Sequence, residues 1–213
     1  MPKQPLIVGN PVLVVVDMQE GGDMPVDEVG IAHMPGYDDR IERARQLIAG
    51  ARAAGVPTVF FQEVHRANGI DFGRELDGAE GVHCVDGKAG TPLHAALLPD
   101  LVGPNHEFHI VKRRYSGFIG TEFEIVLSGL KASTLILIGG LTDVCVHYTF
   151  ADAHQRDFYV RVVSDCVGGS SQYRHDAALD AMEYLQTGAI RTTDEILTAL
   201  ADLSSPVLEG AAR

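Results

Sequence analysis

The chain has 213 residues, 46% apolar and 22% charged, with 23 Gly, 10 Pro and no Trp. At about 150 residues per domain and with no linker or repeat in view, it reads as one domain, long enough to fold without disulfides or a structural metal. Its 17 Lys and Arg stand against 29 Asp and Glu, a formal net charge of −12, which argues against nucleic acid and anionic membrane as partners, since both require a basic footprint.

The opening residues, MPKQPLIVGNP, lack the apolar centre of a signal peptide, so the expected location is the cytoplasm. Pro11 introduces Val12–Val16, an apolar run without polar alternation that fits a strand buried on both faces. This run and Leu135–Ile138 are the longest apolar runs, far short of the ~20 residues that cross a bilayer as a helix. Asp38 is placed to cap a helix carrying Ile41, Ala44, Leu47, Ile48 and Ala51, which Gly55 and Pro57 stop. Thr58–Gln62 is the next strand. The stretch from His65 to Thr91 is rich in Gly and Asp and has little period, and loops of that length inside a domain are usually functional.

Glu107–Val111 reads as a third strand. Thr121 and Glu124 form a capping box for a helix with Phe123, Val126, Leu127 and Leu130. The strand Leu135–Ile138 ends in Gly139-Gly140, and a helix pattern runs from about Asp143 to Arg156. Tyr159–Val163 is a further strand. Helices over about Ser171–Thr187 and Thr193–Leu203 close the chain, the second with a Thr192/Glu195 capping box, and Ala189-Ile190-Arg191 forms a short strand between them. Strands alternating with helices predict an α/β fold: a doubly wound, mostly parallel sheet with helices on both faces. Ligands in such sheets bind outside the carboxyl ends of the strands, which directs attention to Asp17, Glu63, His65, Lys112 and the segment Gly139–Cys145.

Cys145 falls in the first turn of the helix after Gly139-Gly140, with Thr142 or Asp143 as cap, where amide hydrogens and the helix dipole favour an anion. The expected consequence is a lowered thiol pKa and a thiolate. Asp17 ends the first strand and is suited to take the thiol proton, and Lys112 to hold and orient that carboxylate. Position alone also allows Cys145 as a buried apolar filler, Asp17 as a turn residue, and Lys112 as part of a solvated Lys-Arg-Arg run. Cys84 and Cys166, which form no CxxC pair with each other or with Cys145, read as structural.

Three segments in this order, Val14-Val-Val-Asp-Met-Gln19, Lys112-Arg-Arg-Tyr-Ser-Gly-Phe118 and Gly139-Gly-Leu-Thr-Asp-Val-Cys-Val146, resemble the isochorismatase-like cysteine hydrolases over about residues 10 to 200. The resemblance implies a single hydrolase domain over 1–213 and an Asp17–Lys112–Cys145 triad. It also implies a cis peptide between Gly140 and Leu141, and an oxyanion hole from the amides of Leu141 and Cys145. The presence of the cysteine implies C–N hydrolysis, since members that cleave the vinyl ether of isochorismate commonly lack it. The second segment is most similar to the ureidoacrylate and biuret hydrolase branch. That branch implies a small amide or ureido substrate, a thioester intermediate, no cofactor, and a homodimer or homotetramer. Gln19, His65, Tyr115 and Phe118 are the expected substrate contacts. Where many relatives carry an aromatic after Asp-Met-Gln, this chain reads Glu20-Gly21-Gly22-Asp23, so Phe118, Tyr115 or the 65–91 loop is expected to supply the wall.

Glu63-Val-His65 with His83-Cys84-Val85 also resembles the nicotinamidase branch, in which an Asp-x-His and a later His bind a metal. Residues two apart on a strand share a face, so Glu63 and His65 either ligate a metal with His83 or form a hydrogen-bonded pair lining the pocket. An isochorismatase-type ether hydrolase and a thiol redox sensor or scaffold remain the other readings.

Overall fold

The computed structural model describes residues 5–104 and 107–204. Residues 1–4 of the opening segment read above lie outside them. Six strands form one sheet in the order β3-β2-β1-β4-β5-β6: β1 (Asn10–Val16), β2 (Thr58–Glu63), β3 (Glu107–Lys112), β4 (Ala132–Gly140), β5 (Tyr159–Gly168) and β6 (Ile190–Arg191). Every paired strand is parallel. Helices α1 (Val26–Val29), α2 (Tyr37–Ala54), α3 (Phe123–Gly129), α4 (His147–His154), α5 (Gln172–Leu185) and α6 (Thr193–Ser204) complete the described elements with a few short 3-10 turns. This is the doubly wound α/β arrangement expected from the strand–helix alternation.

The apolar run of β1 shows why the sheet is covered on both sides. Val12, Val14 and Val16 pack with Phe123 and Leu127 of α3, Phe150 of α4 and Met182 of α5. Leu13 and Val15 face the other way, onto Ile41, Ala44, Leu47 and Ile48 of α2 and Ile196 and Leu200 of α6. Successive strand residues point to opposite faces, so a strand between two helix layers must be apolar throughout. The strand order reverses direction between β1 and β4, where crossovers leave to opposite sides and a crevice opens at the carboxyl edge.

Three cap expectations are corrected. Helix α2 starts at Tyr37 behind a left-handed Gly36, with no side-chain cap from Asp38. Thr121 does not cap α3, whose N-cap is Glu122. The Thr121 hydroxyl donates to Gly117 O at 2.5 Å and accepts from the amide of Phe123, the first residue of α3, at 3.2 Å, so Thr121 sits one residue before the N-cap and closes no box with Glu124. The predicted 143–156 helix begins as a π-helical turn over Thr142–Val146 and becomes α-helical only at His147. Asp143 is drawn away from capping because its carboxylate accepts from the amide and hydroxyl of Ser170, at 2.8 and 2.5 Å. The Thr192/Glu195 box does form: the Thr192 amide donates to Glu195 Oε2 at 2.9 Å and the Glu195 amide to Thr192 Oγ1 at 3.4 Å.

Gly139 fixes the join between β1 and β4. Its φ is +110°, and a Cβ there would lie 2.1 Å from the carbonyl oxygen of Val16. Gly139→Ala is therefore expected to destabilise the protein by at least ~2 kcal/mol, the combined cost of backbone strain and overpacking. Urea unfolding checks this, and a midpoint unchanged by the substitution contradicts it.

Candidate active site

Four strand ends meet at the crevice. Val16 closes β1, and Asp17 follows with φ +48°, its amide donating to Phe61 O of β2 at 3.2 Å. Glu63 ends β2 and lies in register with Lys112 at the end of β3. Beyond β4 the Gly140–Leu141 peptide is cis, and the π-helical turn carrying Cys145 follows. The Leu141 carbonyl accepts from the amides of Val144 and Val146, both at 3.1 Å, which fixes the turn against the strand end.

Lys112 is fully buried, and its side chain crosses beneath β2 to the crevice. Its Nζ donates to Glu63 Oε2 at 3.0 Å and to Cys145 Sγ at 3.3 Å and forms an ion pair with Asp17 Oδ2 at 2.7 Å. The Lys-Arg-Arg run therefore divides: Lys112 is interior, while Arg113 and Arg114 are half-buried. Asp17 and Cys145 present polar atoms within 4.8 Å of each other, the Cys145 thiol donates to Glu63 Oε2 at 3.5 Å, and both Asp17 oxygens are buried without a hydrogen bond among the described residues.

Burial works against charge on Lys112, but Asp17, Cys145 and Glu63 outweigh it and hold its pKa well above the ordinary lysine value. Glu63 is likewise buried, yet Lys112, His65 and His83 keep its carboxyl well below the usual range. Burial dominates at Asp17 and raises its pKa despite Lys112. Cys145 overturns an expectation. Burial pushes its thiol pKa well up, Glu63 and Asp17 add to this, and Lys112 only partly offsets them. The resting group is a thiol, because a thiolate would be a third anion around one ammonium.

The cavity above these residues holds about 250 Å³. Tyr115 is in its wall, as expected, with its hydroxyl donating to Glu80 Oε2 at 2.7 Å. The other aromatic wall is Tyr37, which no sequence pattern identified. A Cβ on Gly22 would sit 2.2 Å from Tyr37 Cζ, so the missing side chain after Gln19 makes room for this ring. The Tyr37 hydroxyl donates to Gln19 O at 2.7 Å. Phe118 is not a wall residue. Its ring packs in the core 4.8 Å from Phe123, because Gly117 closes onto Phe61 and turns the chain inward. Gln19 borders the cavity, but its amide is spent as a strut: Nε2 donates to Glu63 O at 3.1 Å and Thr91 O at 2.6 Å, and Oε1 accepts from Glu63 N at 2.9 Å. Cys84 also borders the cavity, whereas Cys166 is in the core, and all three cysteines are free.

His65 is fully buried and lies behind the cavity wall, stacked on Phe72 at 4.0 Å. It joins Glu63, His83 and Glu75, a residue of the aperiodic loop that no spacing rule could find. His65 Nε2 lies 3.1 Å from Glu63 Oε1 and 3.3 Å from Glu75 Oε2, and His83 Nε2 lies 3.3 Å from Glu63 Oε1. Zinc ligands lie about 3.3 Å apart, a spacing these three contacts match, and all four donor atoms fall within 4.8 Å of one another. Both Glu75 oxygens are buried without a hydrogen bond among the described residues, as a ligand carboxylate would be. The same contacts also suit hydrogen bonds with a protonated His83, whose pKa burial opposes but Glu63 raises to about 8.

The Isochorismatase domain profile matches residues 11–195. A ureidoacrylate amidohydrolase RutB of Methylorubrum extorquens is 29% identical over 218 residues, covering 91% of this chain and 80% of its own length. Among solved structures, N-carbamoylsarcosine amidase from Thermoplasma acidophilum is 25% identical with a TM-score of 0.70, covering 87% of this chain and 98% of its own. Pyrazinamidase of Pyrococcus horikoshii in complex with zinc is 28% identical with a TM-score of 0.71, covering 86% and 98%.

Removing the ammonium leaves two buried carboxylates facing each other. Lys112→Met is expected to cost about 3–5 kcal/mol, the range for one partner deleted from a buried ion pair. Adding Asp17→Asn should return part of that loss. Chemical denaturation of the single and double variants checks both, and a Lys112→Met protein as stable as the parent contradicts the charge assignment.

Proposed function

The chain belongs to the isochorismatase family, and on that premise we propose that it is a cysteine amidohydrolase, one catalytic domain that cleaves a C–N bond of a small ureido, carbamoyl or amide compound. The observation that carries this reading is the contact of one buried ammonium with Asp17, Glu63 and Cys145 at the floor of a cavity. Named C–N hydrolases among the relatives support it.

In this reading Cys145 is the nucleophile and Asp17 the proton carrier. Asp17 takes the thiol proton as Sγ bonds to the substrate carbonyl carbon. The resemblance assigns the developing oxyanion to the amides of Leu141 and Cys145, donors of the kind that stabilise such charge. The C–N bond breaks as Asp17 returns the proton to the leaving nitrogen, and a thioester remains. Asp17 then removes a proton from water as the water oxygen attacks the thioester, and the thiol is restored as the acid departs. Lys112 stays protonated throughout. The raised thiol pKa fits transfer in concert with attack, since no free thiolate needs to accumulate. A cytoplasmic location and a homodimer or homotetramer complete the proposal, the assembly on the resemblance alone.

Cys145→Ala and Asp17→Asn should each lower turnover by at least ~10³-fold, the scale seen for residues of a catalytic triad. Ammonia release from ureido acids, biuret, N-carbamoyl amino acids, nicotinamide and maleamate measures it. An active Cys145→Ala enzyme rules out the mechanism.

The Glu63–His65–Glu75–His83 cluster favours a second reading, a metal-assisted amidase. A cation there would be held by these four side chains, and it would supply a Lewis-acid contact to a substrate donor atom only by taking a further ligand beyond the four. Zinc titration by calorimetry is expected to show one tight site per chain, weakened at least ~10-fold by Glu75→Gln. Absence of zinc uptake discards this reading and leaves the cysteine mechanism untouched.

A further inference from the structure

Another charged group borders the cavity and has no part in the chemistry above. Arg40, from the first turn of α2, is 9% exposed. Its Nη1 donates to Pro35 O at 2.9 Å and its Nη2 to Met34 O at 3.0 Å, and its Cζ lies 5.9 Å from the centre of the Tyr37 ring. No carboxylate comes within ion-pair distance of it among the described residues, in contrast to Arg52, which is paired with Glu107. The guanidinium thus meets two neutral carbonyls and a ring, while it offers five N–H donors. Burying a cation without a counter-charge is costly, and burial does hold its pKa below the ordinary arginine value.

The position is as informative as the charge. The guanidinium packs directly on Gly168 at the end of β5, where a Cβ would lie 2.6 Å from Arg40 Cζ. Gly168 is the ladder partner of Gly140, the first residue of the cis peptide that leads to Leu141 and Cys145. Arg40 therefore packs on the strand next to the one that leads into the catalytic turn.

The rest of the charge in the cavity gives direction to a ligand. The floor holds Asp17 and Glu63 against Lys112 alone, so it repels an anion. Of the other carboxylates in the wall, Glu80 is engaged by the Tyr115 hydroxyl and Glu28 is exposed to solvent. Lys88 is a second, exposed cation of the wall, and His33 turns its Nδ1 to Ile31 O at 3.2 Å. A molecule with a neutral carbamoyl head and an acidic tail matches this pattern: head on the floor, tail beside Arg40.

We propose that Arg40 binds the carboxylate of the substrate, so that the enzyme selects ureido and carbamoyl acids over neutral amides. This inference rests on the amidohydrolase reading and narrows it to an acidic substrate class. A Cys145→Ala protein separates binding from turnover, and calorimetry with 3-ureidopropionate and its neutral amide, 3-ureidopropionamide, provides the test. The acid is expected to bind at least ~10-fold more tightly than the amide, the scale of a charge-assisted contact. Adding Arg40→Gln should abolish that preference, and adding Arg40→Lys should keep part of it. Equal affinity for the two compounds, binding of neither, or an equal weakening of both by Arg40→Gln overturns the proposal; the last outcome reduces Arg40 to a brace for residues 34–36. Ammonia release by the unsubstituted enzyme reports separately: acid-selective binding without turnover defeats the amidohydrolase reading and not the carboxylate contact.

Discussion

One ammonium, sealed from water, is shared among two carboxylates and a thiol, and the rest of the crevice is arranged around that sharing. An isolated lysine in such a place would give up its proton. Lys112 keeps it because Asp17 and Glu63 lie at 2.7 and 3.0 Å. The sheet makes the arrangement possible. Parallel strands deliver their carboxyl ends to one edge, so residues far apart in sequence arrive within a few ångströms. The same crowding explains the protonated sulfur. Proximity to the ammonium favours a thiolate, but two anions already use that charge, and burial removes water as the alternative.

What could be read from the sequence was whatever leaves a periodic trace. The Val12–Val16 run declared a strand between two layers, and the spacing of Ile41, Ala44, Leu47, Ile48 and Ala51 declared the buried face of α2. Strand ends then pointed to Asp17, Lys112 and Cys145, and the family motifs named them together. Features that depend on burial were not visible. Lys112 opens a Lys-Arg-Arg run that looks solvated, and nothing local says that the first of the three turns inward. The Cys145 pKa was expected to fall because its position at a helix start is a sequence property, while its depth and its carboxylate neighbours are not. Phe118 lies inside a matched motif and still faces the core. Glu75 belongs to a loop with no period, so only the folded chain brings it to His65.

Glu63 ties the two halves of the site together. Its Oε2 belongs to the ammonium and its Oε1 to His65 and His83. The two sequence readings of this residue, a metal set or a pair with His65, both concern Oε1, and the contact of Oε2 with the ammonium was in neither. Gln19 holds that carboxylate in place through the backbone of the same residue, which is a better use of a buried amide than an unsatisfied reach toward a ligand.

The exchange between Gly22 and Tyr37 carries a consequence for how the crevice evolves. An aromatic borne on the loop after β1 would be free to shift whenever that loop drifts. Here the ring is mounted on an 18-residue helix that is itself clamped to the sheet. The aperture thus behaves as a fixed jaw, its gauge set by how α2 seats on β1. Substitutions on the opposite rim can therefore retune selectivity, while any side chain placed at Gly22 acts as a wedge that pries the jaw open.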